Sequence, residues 1–436
     1  MLLYPFPATI TLPARQLRLP FSCSSPHNMQ SNSSTTHAAA ASPLPLAGIR
    51  VVEFTHMVMG PTCGMVLGDL GAEVIKVEPI GGDKTRTLLG AGAGFFPMFN
   101  RNKKSLGLNL KSVEGVEIAL QLGASADVVL HNFKPGVLDK LGLDYARLRQ
   151  HNPGLIYANH SGFLPGPYEH RTALDEVVQM MGGLAYMTGR SGDPLRAGSS
   201  VNDIMGGMFG AIGILAALLE RTRTGKGQEV DAALFENNVF LVGQHILQYE
   251  VTGQAASPMP ERISPWGIYD IFTVQEGQQV FLAAVSDSHW QTLCRILDWP
   301  DLLANASLAS NNDRVRARDA WLLAELRQRL AHRSMTEITS LFEQHGLPYA
   351  RITRPEQLLD DPHLTATHGL DTVHLVDGIH AGKPVHAALL PLRLNHQRLH
   401  TRHNPPALGE HTQEILHSLG IPDTALQDWY QRKIIA

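Results

Sequence analysis

"PLAGIRVVEFTHMVMGPTCGMVLGDLGAEVIKVEPIGGD", residues 45–83, sets two β-branched runs on either side of one apolar stretch. The first run, Ile49 to Phe54, leads through Gly60-Pro61 into an apolar helix, and the second is Val74 to Glu78. The segment reads strand, helix, strand. "GVEIALQLGASADVVLHNF" (115–133) continues as helix then strand, "GLIYANHSGF" (154–163) as a strand, and "GKGQEVDAALFE" (225–236) as turn, strand and helix start. Such alternation specifies an α/β fold with a parallel, Rossmann-like sheet. Ligands bind such sheets at the carboxyl ends of strands, so the loops after Phe54, Glu78, His131 and Asn159 are where chemistry is expected.

A dinucleotide site is excluded. The loop "THMVMGPTCG" (55–64) lacks G-x-G-x-x-G, and "GAGAG" (90–94) follows no strand and reads as a loop. No P-loop motif occurs. With 44% hydrophobic and 17% charged residues in 436, and a net charge of -4, the chain is globular and without a basic excess, so no nucleic-acid partner is expected. Cysteines at 23, 63 and 294 are too few and scattered for a disulfide framework or zinc site, which fits a reducing cytoplasm. Cys63 lies on an apolar helix face and reads as core. His396, His400 and His403 have helical ligand spacing, but Pro405 and Pro406 follow and no carboxylate completes a set; no metal is expected.

Residues 1–43, rich in Ser, Ala, Pro and Thr, read as a disordered leader, or Met29 is the true start. A large Rossmann-like domain is expected over 44–250. The texture changes near 252, which sets a smaller α+β domain with linkers over 251–365, with amphipathic helices in 312–345 and two short strands flanking Glu276-Gly277. A C-terminal segment, 366–436, carries further strands and a final helix.

"SSVNDIMGGMFGAIGILAALLER" (199–221) places Asp203 directly before a charge-free run, Ile204 to Leu219. A bilayer-spanning helix needs about 20 residues, so a buried core helix is expected and no membrane partner. Asp203 is then either an N-cap or a ligand-facing carboxylate, with Gly206, Gly207, Gly210 and Gly213 allowing close approach of a backbone or a ligand.

Six segments in order along the chain resemble one family: "PLAGIRVVEFTHMVMGPTCGMVLGDLGAEVIKVE", "MFNRNKKSLGLNLKSVEG", "VVLHNFKPGVLDKLGLDY", "ILAALLERTRTGKGQEVDAALFE", "HGLPYARITRPEQLLDDPHL" and "PPALGEHTQEIL". The chain resembles the class III coenzyme A transferases, which include formyl-CoA and carnitine CoA-transferases and the alpha-methylacyl-CoA racemases. That resemblance implies a large domain, a small domain, a return of the chain to the large one, and an interlocked homodimer. It implies no permanently bound cofactor, with a coenzyme A thioester and a small carboxylic acid as substrates.

By the same matching, Asp203 takes the place of the nucleophile, and Asp175 that of a carboxylate near the thioester. Val58 and Met59 fall where the family's first loop meets CoA, Leu108, Asn109 and Lys111 with Asn132, Phe133 and Lys134 at the nucleotide end, and Lys140 where an arginine meets phosphate. Pro79 stands where some members carry an arginine, leaving Lys84, Arg86 or Arg101 to supply that charge. Racemases shift an alpha proton with a His before the Asp, and here "TALDEVVQ" puts Leu174 there. A second racemase acid falls at Ser286, beside Asp287. Both departures favour transfer of CoA, for example from succinyl-CoA, to another small carboxylic acid; were it a dicarboxylate, Arg171, Arg196 or Arg262 would hold the second carboxylate. A racemase, and a non-catalytic acyl-CoA binding protein in which Asp203 only caps a helix, are the alternatives.

Overall fold

In the computed structural model, which describes residues 44–262 and 264–436, the two β-branched runs are strands β1 (Arg50–Phe54) and β2 (Glu73–Glu78), joined by helix α1 (Met59–Asp69). The expected leader, 1–43, lies outside the described residues. Strand β3 (Lys103–Gly107), helix α2 (Val113–Ser125) and strands β4 (Val128–His131) and β5 (Ile156–Ser161) follow. Then come α3 (Asp175–Met181), α4 (Val201–Thr224), β6 (Glu229–Ala233) and α5 (Leu234–Thr252). The six strands form one parallel sheet in the order β3-β2-β1-β4-β5-β6, the doubly wound arrangement of a Rossmann-like fold.

Alternate residues of each strand serve different cores. Val52, Phe54, Ile75 and Leu106 pack against α2 and against Ile415, Leu416, Leu426 and Ile434 near the C-terminus. Val51, Val74, Val128 and Ile156 face Cys63 and Leu67 of α1 and Ala211, Ile214 and Ala217 of α4. The tail thus returns to the parallel sheet, as the resemblance implied. A separate core is built by the antiparallel sheet β7 (Ile268–Thr273), β8 (Gln279–Ala284), β9 (Tyr349–Arg351) and the helices between β8 and β9, with Phe272, Leu282, Trp290, Leu326 and Phe342 inside. The tail carries two helices near its end, Thr412–Ser418 and Asp423–Gln431, rather than one.

The glycines of α4 explain its packing. A Cβ at Gly207 would meet Met59 and Thr62 of α1, and one at Gly210 would overlap the His160 ring. Their role is close approach of one helix to another and to the sheet. The opposite face differs from the expectation of a buried core helix. Met208, Phe209, Ile212 and Leu219 of α4 are exposed, as are Phe240 and Leu247 of α5, and Phe209 and Phe240 meet edge to face at 5.5 Å. Among the described residues, that face of α4 is covered only in part, by α5. At 24 residues it is long and apolar enough to cross a bilayer, yet it is also the crossover between β5 and β6 and is tied to the sheet by its glycine face.

Candidate active site

Right-handed crossovers bring the N-termini of α1 and α4 to the carboxyl edge of the sheet, where helix dipoles favour negative charge. Helix α4 begins at Val201, with Ser200 as an N-cap that makes no side-chain capping bond. Asp203 is therefore the third residue of the helix and not its cap. Asp175 does the capping from another helix: its Oδ2 accepts the amides of Asn202 at 2.8 Å and Asp203 at 3.1 Å. Its Oδ1 accepts from Gln179 Nε2, and Gln179 Oε1 in turn accepts the amide of Ala197 at 2.8 Å. Both oxygens of the buried Asp175 are thus engaged.

The half-buried Asp203 carboxyl is in a different condition. Burial and, second, the neighbouring Asp175 push it up to about 7, and among the described residues no hydrogen bond offsets them. A carboxylate without donors, at a helix N-terminus, is a poorly solvated anion available for attack on an electrophilic carbon. Around it, Asn202 Nδ2 donates to Asn238 Oδ1 at 3.1 Å and Asn237 Nδ2 to the Asn202 carbonyl at 2.9 Å, tying α4 to α5. Gln179 and these buried asparagines are residues that sequence reasoning missed. Their spacing spans three helices, and only the run of amides at Asn237-Asn238 inside an apolar helix hints at them.

The loop after β1 lies at the switch point between β1 and β4. His56 donates its amide to Asn132 Oδ1 at 3.0 Å, and Asn132 Nδ2 returns a bond to the His56 carbonyl at 2.8 Å. Phe133 lies 5.8 Å from the His56 ring, and Lys134 Nζ donates to Thr172 Oγ1 at 3.3 Å, joining this edge to the approach to Asp175. Val58 and Met59 are buried, so neither side chain is exposed to a ligand. Leu108 is also buried, while the Asn109 amide donates to the Ile434 carbonyl at 2.8 Å and Asn109 Oδ1 accepts from the Lys111 amide at 3.1 Å. Lys111 and Lys140 are exposed. Strand β3 is three strand spacings from β4, so residues 108–111 lie roughly 14 Å across the edge from Asn132.

Two substitutes for the missing arginine at Pro79 are corrected. Arg86 is held by Glu78 at 2.7 Å and by Asp377, and Arg101, wholly buried, pairs with Asp69 at 2.6 Å. Neither guanidinium is free for a phosphate; Lys84 is exposed. Of the three arginines considered for a carboxylic acid, Arg196 is paired with Glu176 and Arg262 donates to the Met259 carbonyl at 3.0 Å. Arg171 lies over the Tyr168 ring at 4.8 Å and, among the described residues, pairs with no carboxylate. Leu174 is 61% exposed beside Asp175, and Asp287 is tied to Arg314, so neither racemase proton carrier is supplied at those positions. Cys63 is buried, and burial pushes its thiol far above the ordinary range. His400 faces Asp371 at 3.3 Å, and among the described residues no group of three or more His, Cys, Asp or Glu converges on a metal site.

A parallel sheet with this edge, and an aspartate with no side-chain donor among the described residues at a glycine-faced helix, are features that covalent catalysis on a carboxylate would use. The model of CoA-transferase family III matches residues 46–412, and the chain belongs to that family. It is 34% identical over 390 residues to succinyl-CoA:mesaconate CoA-transferase of Haloarcula hispanica, covering 86% of this chain and 96% of the relative. It is 33% identical over 390 residues to succinyl-CoA:glutarate CoA-transferase of Homo sapiens, covering 85% of each chain. The crystal structure of a CAIB/BAIF family protein from Brucella suis superposes with a TM-score of 0.77 at 33% identity, covering 86% of this chain and all of that one. The chain is a CoA transferase by family.

Proposed function

We propose that this enzyme moves CoA from an acyl-CoA, succinyl-CoA in the first instance, to another small dicarboxylic acid, with Asp203 as nucleophile. An Asp203 oxygen attacks the acyl carbon, the C–S bond breaks, and CoA leaves as thiolate from a mixed anhydride. The thiolate then attacks Asp203 Cγ, releasing the donor acid and leaving an aspartyl-CoA thioester. The acceptor carboxylate attacks the same carbon and expels the thiolate, which finally attacks the acceptor's acyl carbon and frees Asp203. Every intermediate keeps an activated carbonyl, so the thioester free energy is carried through rather than lost to water.

The observation that carries this reading is the division of labour between two aspartates. Asp175 holds the helix amides, and the Asp203 carboxyl, without donors, is left for the substrate. Acceptors of the two relatives, mesaconate and glutarate, support a dicarboxylate, and Arg171 is the residue assigned to its distal carboxylate. The test is mass spectrometry of enzyme incubated with succinyl-CoA, then trapped with hydroxylamine or borohydride. A modified peptide containing Asp203 supports the mechanism, and turnover with that peptide unmodified overturns it.

The same proposal includes a second copy of the chain. The exposed apolar face of α4 and α5 is of the kind that marks an interaction surface. Sedimentation of the intact protein is expected to give a dimer, and Ile212→Asp with Phe240→Asp a monomer. A dimer unaffected by those changes, or cosedimentation with lipid vesicles through that face, overturns the assignment.

A further inference from the structure

Beneath the loop that joins β1 to α1 lies a buried cluster of ions that the chemistry above does not use. Lys76 of β2 donates Nζ to the Thr55 carbonyl at 2.9 Å and pairs with Asp83 at 3.0 Å and Glu53 at 3.8 Å. Lys103 of β3 donates to Glu53 at 2.8 Å, to the Pro61 carbonyl at 2.9 Å and to Asn100 Oδ1 at 3.1 Å. Both ammonium groups are fully buried in the sheet. Burial pulls Lys103 down to about 8; it pulls on Lys76 too, but Asp83 and Glu53 outweigh it and hold that ammonium above its ordinary value.

Clusters of this sort are weak stabilisers, since desolvating each ion offsets much of the attraction and well-packed apolar residues often serve stability as well. What they fix is geometry. Thr55 and Pro61, whose carbonyls the two lysines hold, bracket a turn in which Met57 has φ of +64°. A side chain in the left-handed region is strained, and such strain persists only where the surroundings over-determine it. Here they do: the lysines grip the turn from below, and Asn132 grips both backbone groups of His56 from the side. The amides of Val58, Met59 and Gly60, among the described residues, have no acceptor and face the N-terminal end of α1.

We propose that Lys76 and Lys103 are positioning residues for acyl-CoA binding, holding the 55–61 turn in the strained form that leaves its amides unpaired for the thioester substrate. This rests on the reading that acyl-CoA meets that turn. Neither lysine touches substrate; each acts through the backbone carbonyl that it holds.

The experiment compares wild type with Lys76→Met and Lys103→Met, variants that keep the aliphatic stem and remove the charge. Expected is a KM for acyl-CoA raised about tenfold, a loss of roughly 1.4 kcal/mol of binding. The KM for the acceptor acid and kcat are expected within about threefold of wild type, with faster amide exchange over 55–61 in the free enzyme. Met57→Gly, which removes the strain, is expected to restore part of the acyl-CoA affinity in the Lys76→Met background. Unchanged acyl-CoA KM in a folded variant, or a parallel fall in all parameters without rescue, overturns the inference. Should the methionine variants not fold, Glu53→Gln, nearly isosteric, is read in the same way. Amide exchange on wild type with and without CoA separates the underlying reading: no protection at 55–61 defeats the reading that CoA meets this turn, whereas protection with unaffected variants defeats only the role of the lysines.

Discussion

Asp175 accepts the backbone amide of Asp203 through Oδ2 at 3.1 Å, so the aspartate that caps the helix and the aspartate left free to react are adjacent but distinct. Their roles follow from hydrogen bonding. A carboxylate that receives two helix amides and a glutamine is locked in place, while one with no donor keeps its lone pairs for a substrate carbon. Their closeness has a second effect, because the charge of Asp175 disfavours ionisation of Asp203 beyond what burial already does.

That coupling predicts a pH dependence. Asp203 must be ionised to attack, and its carboxyl is raised from 3.8 to about 7, so kcat/KM is expected to fall as the pH drops below about 7. Asp175→Asn removes the second cause and leaves burial, so the acid limb moves to lower pH while remaining above the ordinary carboxylate range. Stability runs the other way. The folded state holds the Asp203 proton more tightly than the unfolded one, so this group's contribution is full below its ordinary pKa and lost as the pH climbs through about 7. A flat rate profile from pH 5.5 to 8 would sink the assignment.

Replacing the proposed nucleophile separates chemistry from binding. Asp203→Asn keeps the shape and leaves the amide contact to Asp175 in place, yet an amide oxygen cannot form the anhydride. Exchange is expected to fall about a thousandfold or more, the scale of losing a covalent nucleophile. Calorimetry should find CoA affinity within a few-fold of wild type.

How much of this was legible beforehand depended on what each residue is partnered with. Strands β1, β2 and β4 show as β-branched runs because apolar cores lie on both faces of the sheet there. Strand β3, "KKSLG", was missed. Its lysines and serine are satisfied by acids on neighbouring elements, Lys103 by Glu53, Lys104 by Glu73 and Glu414, and Ser105 by Glu78, none of which is local in sequence. The position of Asp203 was legible, but that Asp175 and not Asp203 holds the helix amides was not, since a cap supplied by a separate helix leaves no local pattern. The competing phosphate assignments could be narrowed only once the partners of Arg86 and Arg101 were in view.

Glycine at 210 is required by contact rather than conformation. A Cβ there would overlap the His160 ring, which is buried in β5 and held neutral, its pKa lowered by burial to about 4. Alanine gains about 1 kcal/mol of helix propensity, but forcing it against a packed ring costs about 1–3 kcal/mol. Gly210→Ala is therefore expected to lower Tm, with His160→Ala in the same chain recovering part of the loss. A Tm at or above wild type for the single variant would contradict the packing.

Gln179 tests the strap that holds Asp175. Its amide nitrogen donates to Asp175 Oδ1 in a buried setting, and its oxygen receives the amide of the partly buried Ala197. Gln179→Leu keeps much of the volume and leaves a buried acceptor and a backbone donor unpaired, a loss of about 1–3 kcal/mol in stability. With Asp175 loosened, kcat is expected to fall about tenfold while the acyl-CoA KM changes little; Gln179→Glu, which places two acids together, is expected to be worse. Denaturant unfolding and steady-state rates measure the two effects separately.

In the proposed mechanism, acceptor choice falls to a different residue. Arg171 follows β5 on the carboxyl side of the sheet, has no acidic partner among the described residues, and precedes Asp175 by four positions. A guanidinium so placed can pair bidentately with the carboxylate of an acceptor that does not react, which distinguishes diacids from monoacids. Arg171→Leu is expected to raise the KM for glutarate or mesaconate about tenfold or more and to leave that for a monocarboxylic acid of similar length within a few-fold. Arg171→Lys should recover part of the difference, because charge is retained while the fork geometry is lost. Equal losses for both classes of acid would show that Arg171 supports the loop through the Tyr168 ring rather than reading the second carboxylate.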